Sequence, residues 1–195
     1  EIPVSEAAGT ILAHSQTTPN GRLKKGLELR SKDVVALEEA GIHNIATFQL
    51  EEGDVREDDA AQRLGEACAS STTTASVGFT GRCNLYTSQD GLLLYDPDRL
   101  NAVNRVDESI TLAALPPFTP VHARQMIGTV KIITFATSGA ALNDAIDALG
   151  DTPLLSTAPF TGLNASLIET VIARPASKTS EKLKKTTEER LTMVG

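Results

Sequence analysis

The stretch GRLKKGLELRSKDVVALEEAGIHNI, residues 21–45, changes its periodicity twice and decides the fold of the N-terminal part of the chain. Leucines at 27 and 29 alternate with polar residues, which predicts a short, half-buried strand. Ser31 stands where a helix cap is expected, and apolar residues then recur at helical spacing until Gly41, which predicts a helix over 31–41. Alternation returns over 44–50 and predicts a second strand.

The composition limits the class of protein. The 195 residues suit one ordinary domain or two small ones, and with 41% apolar residues, 4% aromatics and no Trp the core must be aliphatic. A formal charge of −7 excludes a broad nucleic-acid surface. Cys68 and Cys83 are too few for a disulfide framework or a structural zinc site, and they suit a reducing cytoplasm. No segment approaches the ~20 apolar residues of a membrane span, and no signal peptide is recognisable. We therefore expect a cytoplasmic protein with no nucleic-acid or membrane partner.

The middle of the chain alternates between helical and strand patterns. Residues 57–69 have helical spacing and an acidic first turn, with Asp54 as the expected cap, and a small polar loop follows near 69–76. We predict a mixed α+β fold with partly antiparallel sheets in two sub-domains, a strand–helix–strand–helix module over 1–70 and a strand-rich unit over 71–165. In the second unit, strands are predicted at 77–86, 91–95, 110–114 and 127–136, and helices at 98–103, 106–108 and 140–149.

The C-terminal segment differs in charge from the rest. Residues 167–173, LIETVIA, predict an apolar strand, and a charged helix follows it. From Arg174 onward six basic side chains stand against three acidic ones. A strand and a helix form the first half of a βαβ unit, whose second strand is missing. We therefore predict that 166–195 open a truncated α/β domain, so that the chain is a fragment.

The sequence contains none of the short motifs of hydrolases, zinc peptidases or P-loop and dinucleotide-binding proteins. Its three histidines, His14, His43 and His122, are far apart and favour surface positions. A catalytic triad assembled only in space stays open, because such groups converge from distant segments. Cys83 lies in a predicted strand and is interpreted as a small apolar side chain.

Polar residues in two predicted strands are the first candidate ligand contacts. Arg82 and Asn84 lie on one face of a strand, because side chains alternate with a period of two. They could bind an anionic or heteroaromatic ligand, or simply form the solvent face. Lys131 interrupts the apolar strand MIGTVKIITF. Because a buried lysine is costly unless it is paired, Lys131 must reach the surface, an acid such as Asp107 or Glu108, or an anionic ligand.

The segment NRVDES, 104–109, is the second candidate. Asp107 and Glu108 could act as an acid/base pair or hold a cation. They could equally form a capped turn in which the carboxylates accept backbone N–H groups. Both interpretations stay open at this stage.

Several stretches resemble the molybdopterin-binding proteins related to molybdopterin molybdenumtransferase and gephyrin. The N-terminal similarity runs through IPVSEAAGTILAHS and the opening stretch, and LIETVIARPASKTSEKLKKTTEERL resembles the first strand and helix of a molybdopterin-binding domain. FTGRCNLY, NRVDESITLAALPPFTPVHARQMIGTVKIITFA and APF are similar to a bacterial branch of the family. The DGYA motif of the molybdenumtransferases is missing. The strand–helix–strand would then be scaffold rather than a reactive centre.

This resemblance implies a module that binds or scaffolds molybdopterin, or Mo-molybdopterin, in molybdenum cofactor biosynthesis or delivery. Its expected partners are the anionic pterin, a molybdoenzyme or another cofactor-assembly protein, and a second copy of the chain. On charge, the expected cofactor contacts are Arg82, Lys131 and the basic residues of 174–190. Asn84 and Asn104 are expected to bind the cofactor beside them. One alternative is a Mg²⁺-dependent transferase whose metal ligands are Asp107 and Glu108, with Asp54. Another is a purely structural module that dimerises through edge strands.

Overall fold

The computed structural model describes residues 1–170 and 178–192, and these residues adopt the predicted mixed α+β fold. Every strand pair in them is antiparallel. No helix in this part of the chain is both long and apolar enough to cross a bilayer. The helices are α1 (Ser31–Glu39), α2 (Glu57–Cys68), α3 (Pro97–Asn104), α4 (Gly139–Asp147) and α5 (Lys178–Thr192). The strands are β1 (Ile2–Pro3), β2 (Ile11–Leu12), β3 (Gln16–Thr18), β4 (Gly21–Leu23), β5 (Asn44–Ile45), β6 (Thr47–Phe48), β7 (Asp54–Arg56), β8 (Thr73–Ala75), β9 (Arg82–Thr87), β10 (Gly91–Leu94), β11 (Ile110–Ala114), β12 (Pro120–Val121), β13 (Met126–Ile132), β14 (Ala136–Ser138) and β15 (Ser156–Ala158).

A small apolar core organises the first 45 residues. Helix α1 supplies Val34 and Leu37 to it, as its helical spacing predicts. The cap of α1 is Arg30 rather than Ser31, and Asp33 Oδ2 accepts the Arg30 N–H at 3.0 Å. The predicted strand at 27–29 is reduced to an isolated bridge between Ile11 and Glu28. The remaining members of the small core are Val4, Ala7, Leu12, Leu29 and Ile45.

A four-stranded sheet, in the order β11-β13-β9-β8, forms the centre of the larger core. Helix α2 packs on its inner face so closely that a Cβ on Gly65 would lie 2.4 Å from Cys83 Sγ. Both cysteines are buried, and burial raises the pKa of the Cys68 thiol to about 12. The other face of the sheet carries the more exposed side chains of each strand. The sheet therefore has one packed and one open face.

A second sheet, in the order β12-β10-β15, and helices α3 and α4 complete the larger core. Arg99 on α3 ties these elements together. Its guanidinium donates to the carbonyls of Leu149 and Thr152, just beyond the end of α4. These contacts give two carbonyls of the loop after α4 a hydrogen-bond partner.

Several predicted elements differ from the observed ones. The strand expected at 127–136 is two strands, because the chain bends at 133–135 and β14 pairs with β7. The expected loop at 69–76 contains β8, the strand expected from residue 77 begins only at Arg82, and 106–108 is a turn. Asp54 lies in β7 and accepts the Glu51 N–H, while Arg56 caps α2.

The C-terminal helix was predicted correctly and is α5. Of the strand predicted at 167–173, residues 167–170 form no strand, and the rest lie outside the described residues. The division into sub-domains at residue 70 stays a prediction. The apolar cores themselves divide earlier, because Ala60, Ala61, Leu64 and Cys68 of α2 belong to the larger core.

Candidate functional site

A cleft of about 630 Å³ lies where the N-terminal segment meets the start of α2. It is lined by four residues of the segment 22–26 around β4 and by residues 56–59 at the start of α2. The other lining residues are Ser15, Phe48, Phe79, Thr80 and Phe135. Three of the five phenylalanines of the chain line it, although aromatics make up only 4% of the residues. The cleft therefore combines a concentration of aromatic surface with residues of both charges.

Phe135 is the centre of a cluster of side chains at the cleft. The Phe48 ring stacks on it with a centroid distance of 4.5 Å and an interplanar angle of 6°. The Lys25 ammonium lies over the same ring, 4.7 Å from its centroid. His14 approaches it edge-on at 6.4 Å. Because Phe135 follows β13 whereas its three neighbours precede residue 50, this cluster joins the N-terminal segment to the central sheet.

Two polar contacts connect the same parts of the chain. Lys25 Nζ lies 2.9 Å from Glu57 Oε1, and the Glu57 side chain is only 16% exposed. The Arg56 guanidinium donates to the Gly26 carbonyl. The half-buried position of Glu57 makes this ion pair less screened than a surface pair. The geometry of the cleft is therefore fixed by side chains from both of its walls.

A tight turn, Phe79–Thr80–Gly81–Arg82, forms another wall of the cleft. Phe79 and Arg82 exchange backbone hydrogen bonds, and the central residues have φ of 50° and 71°, the signs that a type I′ turn requires. A positive φ is unusual for the β-branched Thr80. Gly81 N–H donates to Asp58 Oδ1 at 2.6 Å, and a Cβ on Gly81 would lie 2.8 Å from Glu57 Oε2. The turn is thus fastened to the start of α2 and projects Phe79, which is 74% exposed.

Some charged groups of the cleft have no partner in the described part of the chain. Arg22 and Lys24 are exposed and make no hydrogen bond or ion pair with another described residue. They lie two residues apart, so their side chains share one side of an extended segment. An anionic group entering the cleft would find these two cations available without breaking an existing pair.

The structure brings three of the sequence-predicted contacts together, on the open face of the central sheet. Arg82 lies directly opposite Lys131, and Asn84 lies opposite Thr129, whose hydroxyl is 3.0 Å from Asn84 Oδ1. Lys131 is partly exposed and forms no ion pair with Asp107 or Glu108, so it reaches the surface. Two like charges in directly opposed positions disfavour each other unless an anion lies between them.

The other predicted site residues take part in local structure. Asn104 binds the backbone of Leu112 through both ends of its amide, donating to the carbonyl at 2.9 Å and accepting the N–H at 2.7 Å. Asp107 Oδ1 accepts the N–H and the hydroxyl of Ser109 at 2.8 and 2.6 Å, and this hydroxyl bond is the main cause that lowers the pKa of Asp107. Glu108 is exposed. This geometry favours the capped-turn interpretation.

The titratable groups give no cluster for a metal ion. Within residues 1–170 and 178–192, no group of three or more His, Cys, Asp or Glu side chains could hold one. The Mg²⁺ site at Asp107 and Glu108 therefore stays a prediction without further ligands near it in that part of the chain. Burial also raises the pKa of both thiols, which makes them poor nucleophiles.

Sequence reasoning missed the cleft because its residues come from six separate segments. The local signals were the basic run RLKK at 22–25 and the acidic run at 57–59, each of which is typical of a solvated surface. Nothing in the spacing of Phe48, Phe79 and Phe135 indicates that they converge. Only the fold brings the two charged runs and the rings together.

The comparisons with known proteins add one finding. Residues 1–49 match the model of a family described as Domain of unknown function (DUF8806). No curated protein and no solved structure matches the chain. The matched segment contains every buried residue of the small core, from Val4 to Ile45, and one aromatic residue of the cleft, Phe48.

Proposed function

We propose that this chain is a binding module for molybdopterin, with or without its metal, and that it holds the cofactor in the cleft without performing chemistry itself. One observation supports this proposal above all: three phenylalanines and two unpaired cations line the same cavity. They are Phe48, Phe79, Phe135, Arg22 and Lys24. A planar heteroaromatic ring suits the aromatic surface, and a phosphate suits the cations.

The resemblance to molybdopterin-binding proteins is what identifies the ligand as a pterin. The rings and unpaired cations of the cleft by themselves favour the broader class of planar anions, and its volume of about 630 Å³ lies in the range of small-molecule sites. Both lines of support meet in molybdopterin, which carries a pterin ring system and a phosphate. A role in cofactor assembly or in delivery to a molybdoenzyme belongs to the same proposal.

The test is a titration of purified molybdopterin, with and without molybdate, into the wild-type chain and two matched variants. Arg22→Ala/Lys24→Ala removes two cations from the cleft, and Arg82→Ala/Lys131→Ala removes two from the open sheet face. Charge-assisted bonds to a phosphate are worth about 1.5–3 kcal/mol each, so we expect the first variant to bind at least about tenfold more weakly. The second variant should bind within about twofold of the wild type.

Two results would contradict the proposal in different ways. If the wild type shows no saturable binding, the function is wrong. If Arg82→Ala/Lys131→Ala loses binding and the cleft variant retains it, the ligand lies on the open sheet face, where the sequence first placed it.

A further inference from the structure

The charges of the cleft are not equivalent, because most of its acids already have partners. Glu57 pairs with Lys25, and Asp58 accepts the Gly81 N–H. Asp59 alone among these three is exposed and makes no hydrogen bond or ion pair with another described residue. The cleft therefore offers one unpaired carboxylate in addition to the unpaired cations Arg22 and Lys24.

A planar anion without hydrogen-bond donors would gain nothing from this carboxylate and would be repelled by its charge. A carboxylate has two oxygens that accept hydrogen bonds side by side, so it matches a ring edge that presents two adjacent N–H donors. A 2-amino-4-oxo ring has such an edge, formed by the ring N–H and the neighbouring amino group. The rings of the cleft and Asp59 together therefore select the chemistry of the ring, whereas the cations select the phosphate.

We propose that Asp59 is the specificity residue of the cleft and accepts two hydrogen bonds from the amino and ring N–H groups of a 2-amino-4-oxo heterocycle. This inference rests on the proposed function, since it presupposes that a ring enters the cleft. Pterins and guanine share this edge. A ring with a carbonyl in place of the amino group turns an oxygen towards the carboxylate and is rejected, because an acceptor then faces an acceptor.

The test compares two anionic probes that differ only at that position, pterin-6-carboxylate and lumazine-6-carboxylate. We expect the wild type to bind the pterin at least about tenfold more tightly, the value of one or two charge-assisted hydrogen bonds. In Asp59→Asn the amide cannot accept both donors, so the pterin should weaken until the two probes bind within about threefold of each other. Asp144→Asn, an equal change of charge at an exposed position of α4, should keep the wild-type ratio.

A second pair of probes, GMP and IMP, identifies the source of the ring. Discrimination of GMP from IMP that disappears in Asp59→Asn, without binding of the pterin, supports the role of Asp59 and makes the ligand a guanine nucleotide. Equal binding of both members of each pair by the wild type overturns the role of Asp59 and leaves the proposed function standing. Equal loss of both probes of a pair in Asp59→Asn also overturns it, because the residue would then be structural. Absence of binding by all probes and by molybdopterin overturns the proposed function itself.

Discussion

Asp107 is a carboxylate whose ionisation is coupled to the fold. Its pKa is lowered by the bonds from Ser109, so its contribution to stability is present above the unfolded pKa of about 3.9 and is lost as the pH falls through the lower folded value. We predict that Asp107→Asn lowers the free energy of unfolding near pH 6. The difference from the wild type should diminish as the pH falls below about 3.9 and through the lower folded pKa. Urea unfolding over a series of pH values measures it.

Glu108→Gln is the matched control for this prediction, because Glu108 is the exposed neighbour and its side chain contacts no described partner. It should change the free energy of unfolding at pH 6 by less than about 0.5 kcal/mol. A difference of the same size at pH 6 and pH 3 in Asp107→Asn would mean that the charge of Asp107 has no role. The loss would then come from the shape of the turn alone.

For single residues, the sequence predicted which side chains share one face of a strand, but it did not predict which side chains lie opposite each other on paired strands. Alternation correctly placed Arg82 and Asn84 on one face, because the period of a strand is a property of its backbone. It could not show that Lys131 lies opposite Arg82, since register depends on the pairing of strands that are distant in the chain. Asp59 and Lys24 gave no signal, because an exposed charge is normal in any sequence.

The side chain of Asn104 covers part of the edge strand β11, where a second chain could otherwise pair with the sheet. Asn104 occupies both backbone groups of Leu112, as a neighbouring strand would. We predict that Asn104→Ala lowers the free energy of unfolding by about 1–3 kcal/mol, because it leaves these groups without a protein partner. The uncovered edge should also increase self-association. Denaturant unfolding and light scattering measure the two effects.

Asn101 on the same helix provides the control, since it is exposed and its amide contacts no described residue. Asn101→Ala should change stability by less than about 0.5 kcal/mol and leave the chain as associated as the wild type. Unchanged association of Asn104→Ala at high concentration would contradict the role of Asn104 as an edge guard.

Helix α2 approaches the central sheet at a glycine. A Cβ at position 65 would lie 2.4 Å from Cys83 Sγ and 3.1 Å from its Cβ. Alanine normally stabilises a helix by about 1 kcal/mol relative to glycine, but overpacking here costs about 1–3 kcal/mol. We therefore predict that Gly65→Ala lowers the midpoint of urea unfolding. Cys83→Ala should restore part of the loss in the double variant, which a double-mutant cycle measures as a favourable coupling. Simple additivity of the two changes would contradict the steric explanation.

The sequence predicted a helix or strand correctly where a pattern within that segment alone determines its structure. The buried stripe of α1 and the helical spacing of α2 identified both helices, since packing of an apolar face stabilises a helix wherever it lies. The strand predicted at 127–136 was too long, because the apolar run continues to Phe135 while the chain bends to bring that ring to Phe48. Tertiary contacts of this kind override a local pattern.

For the molecule as a whole, the cleft is also the joint between two apolar cores. The small core comprises buried residues from 4 to 45, and the larger one those from 60 to 155. The ion pair between Lys25 and Glu57 and the ring stack of Phe48 on Phe135 both join the N-terminal segment to residues beyond position 55. A ligand in the cleft would contact both parts, so binding and the cohesion of the molecule are expected to be linked.

Phe135 is the centre of that joint, because Lys25, Phe48 and His14 all contact its ring. We predict that Phe135→Ala loosens the N-terminal segment selectively, since neither apolar core contains this ring. Half-burial of the ring suggests a loss of about 1–3 kcal/mol, which should appear as faster amide exchange in β2 and β6 than in β9 and β13. Phe118→Ala, a change at a ring that is 69% exposed, should leave exchange in β2 and β6 unchanged. Uniform acceleration across β9 and β13 as well would mean that the two cores open as one cooperative unit, so that the joint is part of a single core and not a connection between two.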